Sequence, residues 1–185
     1  MTTVFIGGSR HLSQFGAPVR QRLDRIVEKR LPVLIGDANG ADKAVQKYLH
    51  EKAYPNVEVF FSGGLCRNNL GNWRVRPVSP ATREKSFEFY AAKDRLMAQE
   101  AAVGLMLWDG KSVGTLLNVM RLLRQHKKAV VYNAPKRRFW ELKSQSDWTV
   151  FFSACDPELR SRVRQKAAGE DEERELSAAQ QSLLA

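Results

Sequence analysis

The sequence predicts an α/β fold, an open parallel sheet covered by helices on both faces, followed by a helical extension at the C-terminus. Three observations predict it. Short apolar runs of strand length recur along the chain. Segments with the apolar spacing of an amphipathic helix separate them. Turns rich in glycine and small polar residues follow several of the apolar runs. Strands buried on both faces read as continuous apolar runs, and parallel neighbours need crossover segments between them.

The elements follow in order. Thr3-Val-Phe-Ile-Gly is a buried strand. Residues 16–30 form a helix with Val19, Leu23, Ile26 and Val27 on one face. Pro32-Val-Leu-Ile-Gly is the second strand. Asn39 precedes a helix over about 41–53, with Ala41, Ala44, Val45, Tyr48 and Leu49 as its apolar stripe. Val57-Glu-Val-Phe-Phe is the third strand. Residues 62–83, rich in Gly, Asn, Arg and Pro, are too long for an ordinary connection and are expected to be a mobile loop over the site. A helix over about 84–101, a strand Val103–Trp108, a helix over 113–126 and a strand Lys128–Tyr132 complete the pattern. Beyond it, Trp148–Phe152 is expected to be an edge strand, 156–167 a helix and 169–185 a polar, frayed helix. The organisation is therefore one domain over 1–134 and an extension over 135–185.

Composition excludes several classes. The chain has 185 residues, 43% hydrophobic and 27% charged, the balance of a globular domain. Two cysteines, Cys66 and Cys155, stand far apart without a CxxC pair or a histidine cluster. A disulfide framework and a metal site are not expected, and neither is a cofactor. No apolar run is long enough to span a bilayer, so no membrane partner is expected and the cytoplasm is the expected compartment. Thirty basic residues against twenty acidic ones give a net charge of +10. That excess suits a polyanion or a nucleotide. The sign reverses in residues 169–185, which carry five acids against Arg174.

In open parallel sheets, ligands bind outside the carboxyl ends of the strands. Three turns lie there. After the first strand come Gly7, Gly8, Ser9 and Arg10. Glycines allow close backbone approach, Ser9 can donate to a phosphate oxygen and Arg10 can clamp one. After the second come Gly36, Asp37, Ala38, Asn39, Gly40, Ala41 and Asp42, at the start of a helix whose free N–H groups favour anions. Asp37 and Asp42 are candidates for ribose hydroxyls, and helix capping explains Asp42 equally well. After the strand at 103–108 come Asp109, Gly110, Lys111, Ser112, Val113, Gly114 and Thr115. The turn lacks the GxxxxGK[ST] spacing of the nucleoside-triphosphatase loop. Three such turns on one edge imply a crevice for a nucleotide or sugar phosphate.

These residues resemble a known family. Gly8-Ser9-Arg10, then Gly36-x-Ala38-x-Gly40-Ala41-Asp42, then Trp108-Asp109-Gly110-x-Ser112-x-Gly114-Thr115 resemble the SLOG superfamily, which groups the Lonely Guy phosphoribohydrolases with the DNA-processing protein A family. Lys93-Asp94-Arg95-Leu96-Met97 fits the small stand-alone bacterial members. The resemblance covers about residues 2–133. It implies a Rossmann-like sheet, a nucleotide-derived ligand and a homo-oligomer.

Lonely Guy enzymes carry a PGGxGTxxE motif whose glutamate assists cleavage of the N-glycosidic bond. Gly114-Thr115-Leu116-Leu117-Asn118 matches its spacing, with Asn118 in the glutamate's place. An amide neither takes a proton nor forms a glycosyl ester. Glu84, Glu88 and Asp94 are the candidate substitutes from the neighbouring helix. The resemblance implies a binder of a nucleotide-derived ligand, either a sensor or a divergent N-glycosidic hydrolase of nucleoside monophosphates. The alternative it implies is a single-stranded nucleic-acid-binding module of the DNA-processing type. Arg67, Arg74 and Arg76 would then track the strand, with Trp73 as a stacking platform.

Overall fold

The computed structural model describes residues 2–80 and 86–183, with side chains through Asp171. It contains a seven-stranded sheet: β1 (Val4–Gly8), β2 (Val33–Gly36), β3 (Val57–Ser62), β4 (Arg74–Val78), β5 (Val103–Trp108), β6 (Lys128–Asn133) and β7 (Arg138–Leu142). The strand order is β4-β3-β2-β1-β5-β6-β7. All pairs are parallel except β6 with β7, which is antiparallel. Among the described residues, six helices accompany the sheet: α1 (Ala17–Glu28), α2 (Ala41–Glu51), α3 (Phe87–Glu100), α4 (Val113–Arg124), α5 (Gln145–Ser153) and α6 (Pro157–Leu183). The fold is a Rossmann-like α/β sheet.

Alternation along the strands divides the core in two. Val4, Ile6, Val33, Ile35, Val57 and Val59 face α1 and α2. Phe5, Leu34, Phe60, Met106 and Val131 face the opposite side, with α3, α4, α5 and α6. Side chains of a strand point alternately to its two faces. That is why runs such as Val-Phe-Ile contain no polar residue: each face is covered.

Three expectations are corrected. The described part of the expected loop, residues 62–80, is not one continuous loop. Arg74–Val78 is an edge strand whose cross-strand partner Glu58 stands opposite Arg74 and pairs with both Arg74 and Arg76. The preceding residues are fastened to α2, where Gln46 Nε2 donates to Asn68 O at 3.1 Å and Leu70 N donates to Gln46 Oε1 at 3.1 Å. Second, Trp148–Phe152 is not a strand but lies in α5. Ser144 and Asp147 form a capping box, which fixes the helix start. The edge strand is β7 instead. Third, the two helices expected after residue 156 are one helix, α6. Leu159, Val163 and Ala167 bury its near half in the core. The expected fraying of the terminal residues concerns positions largely outside the described side chains.

Candidate functional site at the switch point of the sheet

The chain leaves β1 towards one sheet edge and returns at β5 on the other side of β1. This reversal makes the junction of β1 and β5 the topological switch point, where a crevice opens at the carboxyl ends of the strands. The first and third glycine turns meet there. Ser9 is fully buried, and its Oγ donates to Asp109 Oδ2 at 2.6 Å. Asp109 Oδ1 accepts from Lys111 N at 3.0 Å and Ser112 N at 2.8 Å. Burial alone would raise the Asp109 pKa, but the Ser9 hydroxyl and these N–H groups outweigh it and hold the carboxyl below its ordinary value. Ser112 caps α4 through its Oγ, which accepts from Thr115 N at 3.3 Å and from Thr115 Oγ1 at 2.9 Å.

The resulting cleft has a volume of about 910 Å³. Gly7, Gly8, Ser9 and Arg10 line it from one side, and Lys111, Ser112, Gly114 and Thr115 from the other. Ala38 and Asp42 reach it from the second turn. Gly36, Asp37, Gly40 and Gly110 do not line it. Gly40 has φ of +80°, and a Cβ there would stand 2.2 Å from Arg10 O, so it brings the second turn against the first. Gly110, at φ +84°, shapes the third turn.

Beneath the cleft lies a group of buried charges. Lys93 Nζ stands 2.8 Å from Asp94 Oδ1, and Asp94 Oδ2 accepts from Asn118 Nδ2 at 3.1 Å. Asn118 Oδ1 in turn accepts from Arg121 Nη1. Asp42 Oδ2 accepts from Ala38 N at 3.2 Å. Gly36 lies directly behind: a Cβ there would be 2.4 Å from Asp42 Oδ2 and 2.5 Å from Lys93 Nζ. Burial pushes the Asp42 pKa up to about 6, with Lys93 opposing the rise. Asp94 remains below the ordinary carboxylate range, because Lys93 and Arg121 outweigh its burial. Lys93 is raised for the reciprocal reason: Asp94 and Asp42 outweigh its desolvation.

The rim is cationic and aromatic. The Arg10 and Arg67 guanidinium carbons lie 4.7 and 4.9 Å from the Tyr90 ring centroid. Arg67 also grips Asp37, through Nε to Oδ2 at 2.8 Å and Nη2 to Oδ1 at 2.6 Å. Asp37 is thus a fully buried anchor for Arg67, and Arg67 holds its pKa down against burial. Arg10 is exposed, and no carboxylate pairs with it among the described residues. From α6, Arg162 reaches the cleft. Among the described residues, Arg10, Lys93, Lys111, Arg121 and Arg162 line the cleft against Asp42, Asp94 and Asp109, and Arg121 is also paired with the buried Glu170. Such a lining favours an anion.

The other candidates lie elsewhere. Trp73 is not a free platform: it is half-buried, and its Nε1 donates to Tyr54 O at 2.8 Å. Arg74 and Arg76 do not line the cleft; they pair with Glu58, and Arg76 also with Glu100. Arg74 opens β4, at the end of the strand remote from the carboxyl edge. Glu88 pairs with Arg95. Glu84 lies outside the described residues. Four contributors were not singled out from the sequence as site residues: Lys93, Tyr90, Arg121 and Arg162. Lys93 stood within a quoted motif, but a lysine buried beneath a cleft has no periodicity signal. Tyr90 reads as one more apolar position of α3, and Arg162 as a solvated position of a tail helix. Among the described residues, no group of three or more His, Cys, Asp or Glu is placed to hold a metal ion, and no helix is long and apolar enough to cross a membrane.

No family model matches the chain, and no curated protein matches it. Its fold is similar to two solved structures. One is DNA processing protein A (DprA) from Streptococcus pneumoniae, with 16% sequence identity and a TM-score of 0.50, over 70% of this chain and 50% of that one. The other is DNA processing protein A from Helicobacter pylori, solved to show its single-stranded DNA binding mode, with 14% identity and a TM-score of 0.54, over 91% of this chain and 81% of that one. The chain therefore spans half the length of the pneumococcal protein. At these identities, the likeness is one of fold.

Proposed function

We propose that the protein binds single-stranded nucleic acid, seating one phosphate-bearing nucleotide in the cleft at the β1–β5 switch point. The observation that carries this reading is the joining of two small-residue turns by the Ser9–Asp109 hydrogen bond in a cleft lined by Arg10 and Tyr90, with Arg10 over the Tyr90 ring. The turns let a backbone phosphate approach closely. Arg10 supplies an uncommitted guanidinium that is held over an aromatic ring. The net charge of +10 adds attraction to a polyanion, and the likeness in fold to a protein described as binding single-stranded DNA supports the choice of ligand.

A second reading shares the same cleft: a free nucleoside phosphate as the whole ligand. Its support is the depth of the cleft, whose floor reaches Asp42, Lys93 and Asn118. The two readings separate by salt. Fluorescence anisotropy of a labelled oligo(dT) should show binding whose logarithm falls linearly with the logarithm of salt, with a slope of about −0.7 for each phosphate contacted. A duplex of equal length should compete poorly. No oligonucleotide binding at about 10⁻⁴ M, the weak end of non-specific affinity, together with saturable binding of thymidine 5′-monophosphate, would favour the second reading.

A further inference from the structure

A second cavity of about 260 Å³ adjoins the cleft. It lies beyond the carboxyl ends of β5 and β6, beside β7 and the C-terminal end of α5. Asp109 and Lys111 line both cavities, so the third glycine turn is the wall between them. The lining is aromatic: the Phe151 ring centroid is 5.6 Å from that of Trp108 and 5.6 Å from that of Trp140. The volume is below the ~300 Å³ at which ordinary small-molecule sites begin, which suits one ring system rather than a whole nucleotide. Lys111 and Lys136, both exposed, flank it. Of its acids, Asp109 is occupied by Ser9 and two backbone N–H groups, and Asp156 Oδ1 accepts from Glu158 N and Leu159 N. Trp140 Nε1 is buried and has no acceptor among the described residues. The Trp140 ring is half-buried, and the Arg138 guanidinium carbon lies 4.5 Å from its centroid.

We propose that this pocket is a base subsite, receiving the base of the nucleotide next to the one in the cleft, with the intervening phosphate passing over Lys111. The inference rests on the nucleic-acid reading of the cleft. Trp140, the half-buried ring on the pocket wall, supplies stacking surface against the buried Phe151, and the two lysines flank the phosphate path. The C-terminal extension, which builds β7 and α5, thereby becomes part of the binding site.

The probes are pT and pTpT, with affinities measured by competition against labelled oligo(dT). On the unmodified protein, pTpT should bind roughly five- to a hundredfold tighter than pT, the range for one base stacked on aromatic side chains. Trp140→Ala should bring that ratio close to one and leave the affinity for pT unchanged. Ala154→Trp, at an exposed position lining the pocket, should do the same by filling it, and it keeps the test alive if Trp140→Ala does not fold. A ratio near one in the unmodified protein overturns the subsite. So does a ratio preserved in either folded variant, or an equal loss of pT and pTpT. If the unmodified protein binds neither probe nor the oligonucleotide, the cleft reading falls and the subsite with it.

Discussion

Asp42 carries a testable consequence of burying a carboxyl beside a lysine. Its folded pKa of about 6 lies above the ordinary value of 3.8. The folded state therefore binds more protons than the unfolded chain between those values, and stability falls as pH rises through that window. The charged carboxyl should cost about 2–3 kcal/mol at neutral pH relative to pH 4. Asp42→Asn should remove this dependence, so urea unfolding at pH 4.5 and pH 7 should show a larger drop for the unmodified protein than for the variant. Equal drops would mean that Asp42 is not desolvated as described. Asn118 leads to a second prediction. Its amide donates to Asp94, and Asp94's other oxygen faces Lys93, so the carboxylate nearest the expected catalytic position is already engaged on both oxygens. Incubation with a panel of nucleoside monophosphates should release free base far below ~1 s⁻¹, the slow end of ordinary enzyme turnover. Turnover above that would assign the cleft to catalysis. The turn residues of this site were legible because glycine and serine after a strand leave a local mark. Lys93 and Tyr90 were not, since their role comes from which side of α3 meets the cleft.

At the scale of elements, α6 shows what a tail helix can do that its sequence conceals. Its polar composition reads as a solvated or frayed segment, yet Glu170 and Arg121 on α4 form an ion pair with both side chains 3% exposed. About one turn later in α4, Arg124 pairs with Asp171 of α6 at 2.7 Å, with both side chains partly in solvent. Removing one partner of a buried pair leaves a charge without compensation, whereas an exposed pair contributes little. Glu170→Ala should therefore cost about 3 kcal/mol of stability and Asp171→Ala at most about 1 kcal/mol, as read by chemical denaturation. Comparable costs would show that α6 is not docked through Glu170. Other elements depart from their sequence patterns for definable reasons. The aromatic run Trp148–Phe152 has strand composition, but the Ser144-x-x-Asp147 box ahead of it sets a helix. β4 alternates charged and apolar residues and contains Pro77, so it lacks the apolar run that marks the central strands. Its arginines are matched instead by Glu58 across the strand pair.

At the scale of the whole molecule, the parallel sheet was legible because strands covered on both faces leave uninterrupted apolar runs. The strand order was not, because it depends on where each crossover lands. That order creates the β1–β5 switch point and places Ser9 against Asp109. On the proposed reading, nucleic acid binds in this cleft rather than spreading over a basic surface. Oligo(dT) binding by Arg10→Ala and Arg74→Ala separates the two cases. Both substitutions remove one exposed positive charge, but Arg10 lines the cleft and Arg74 lies at the far end of the edge strand. At about 0.15 M salt, where charges more than ~8 Å apart are largely screened, oligo(dT) affinity should fall about tenfold in Arg10→Ala, the loss of one charge-assisted hydrogen bond. It should stay within about twofold in Arg74→Ala. Equal losses in the two variants would contradict the cleft and leave only a diffuse electrostatic attraction.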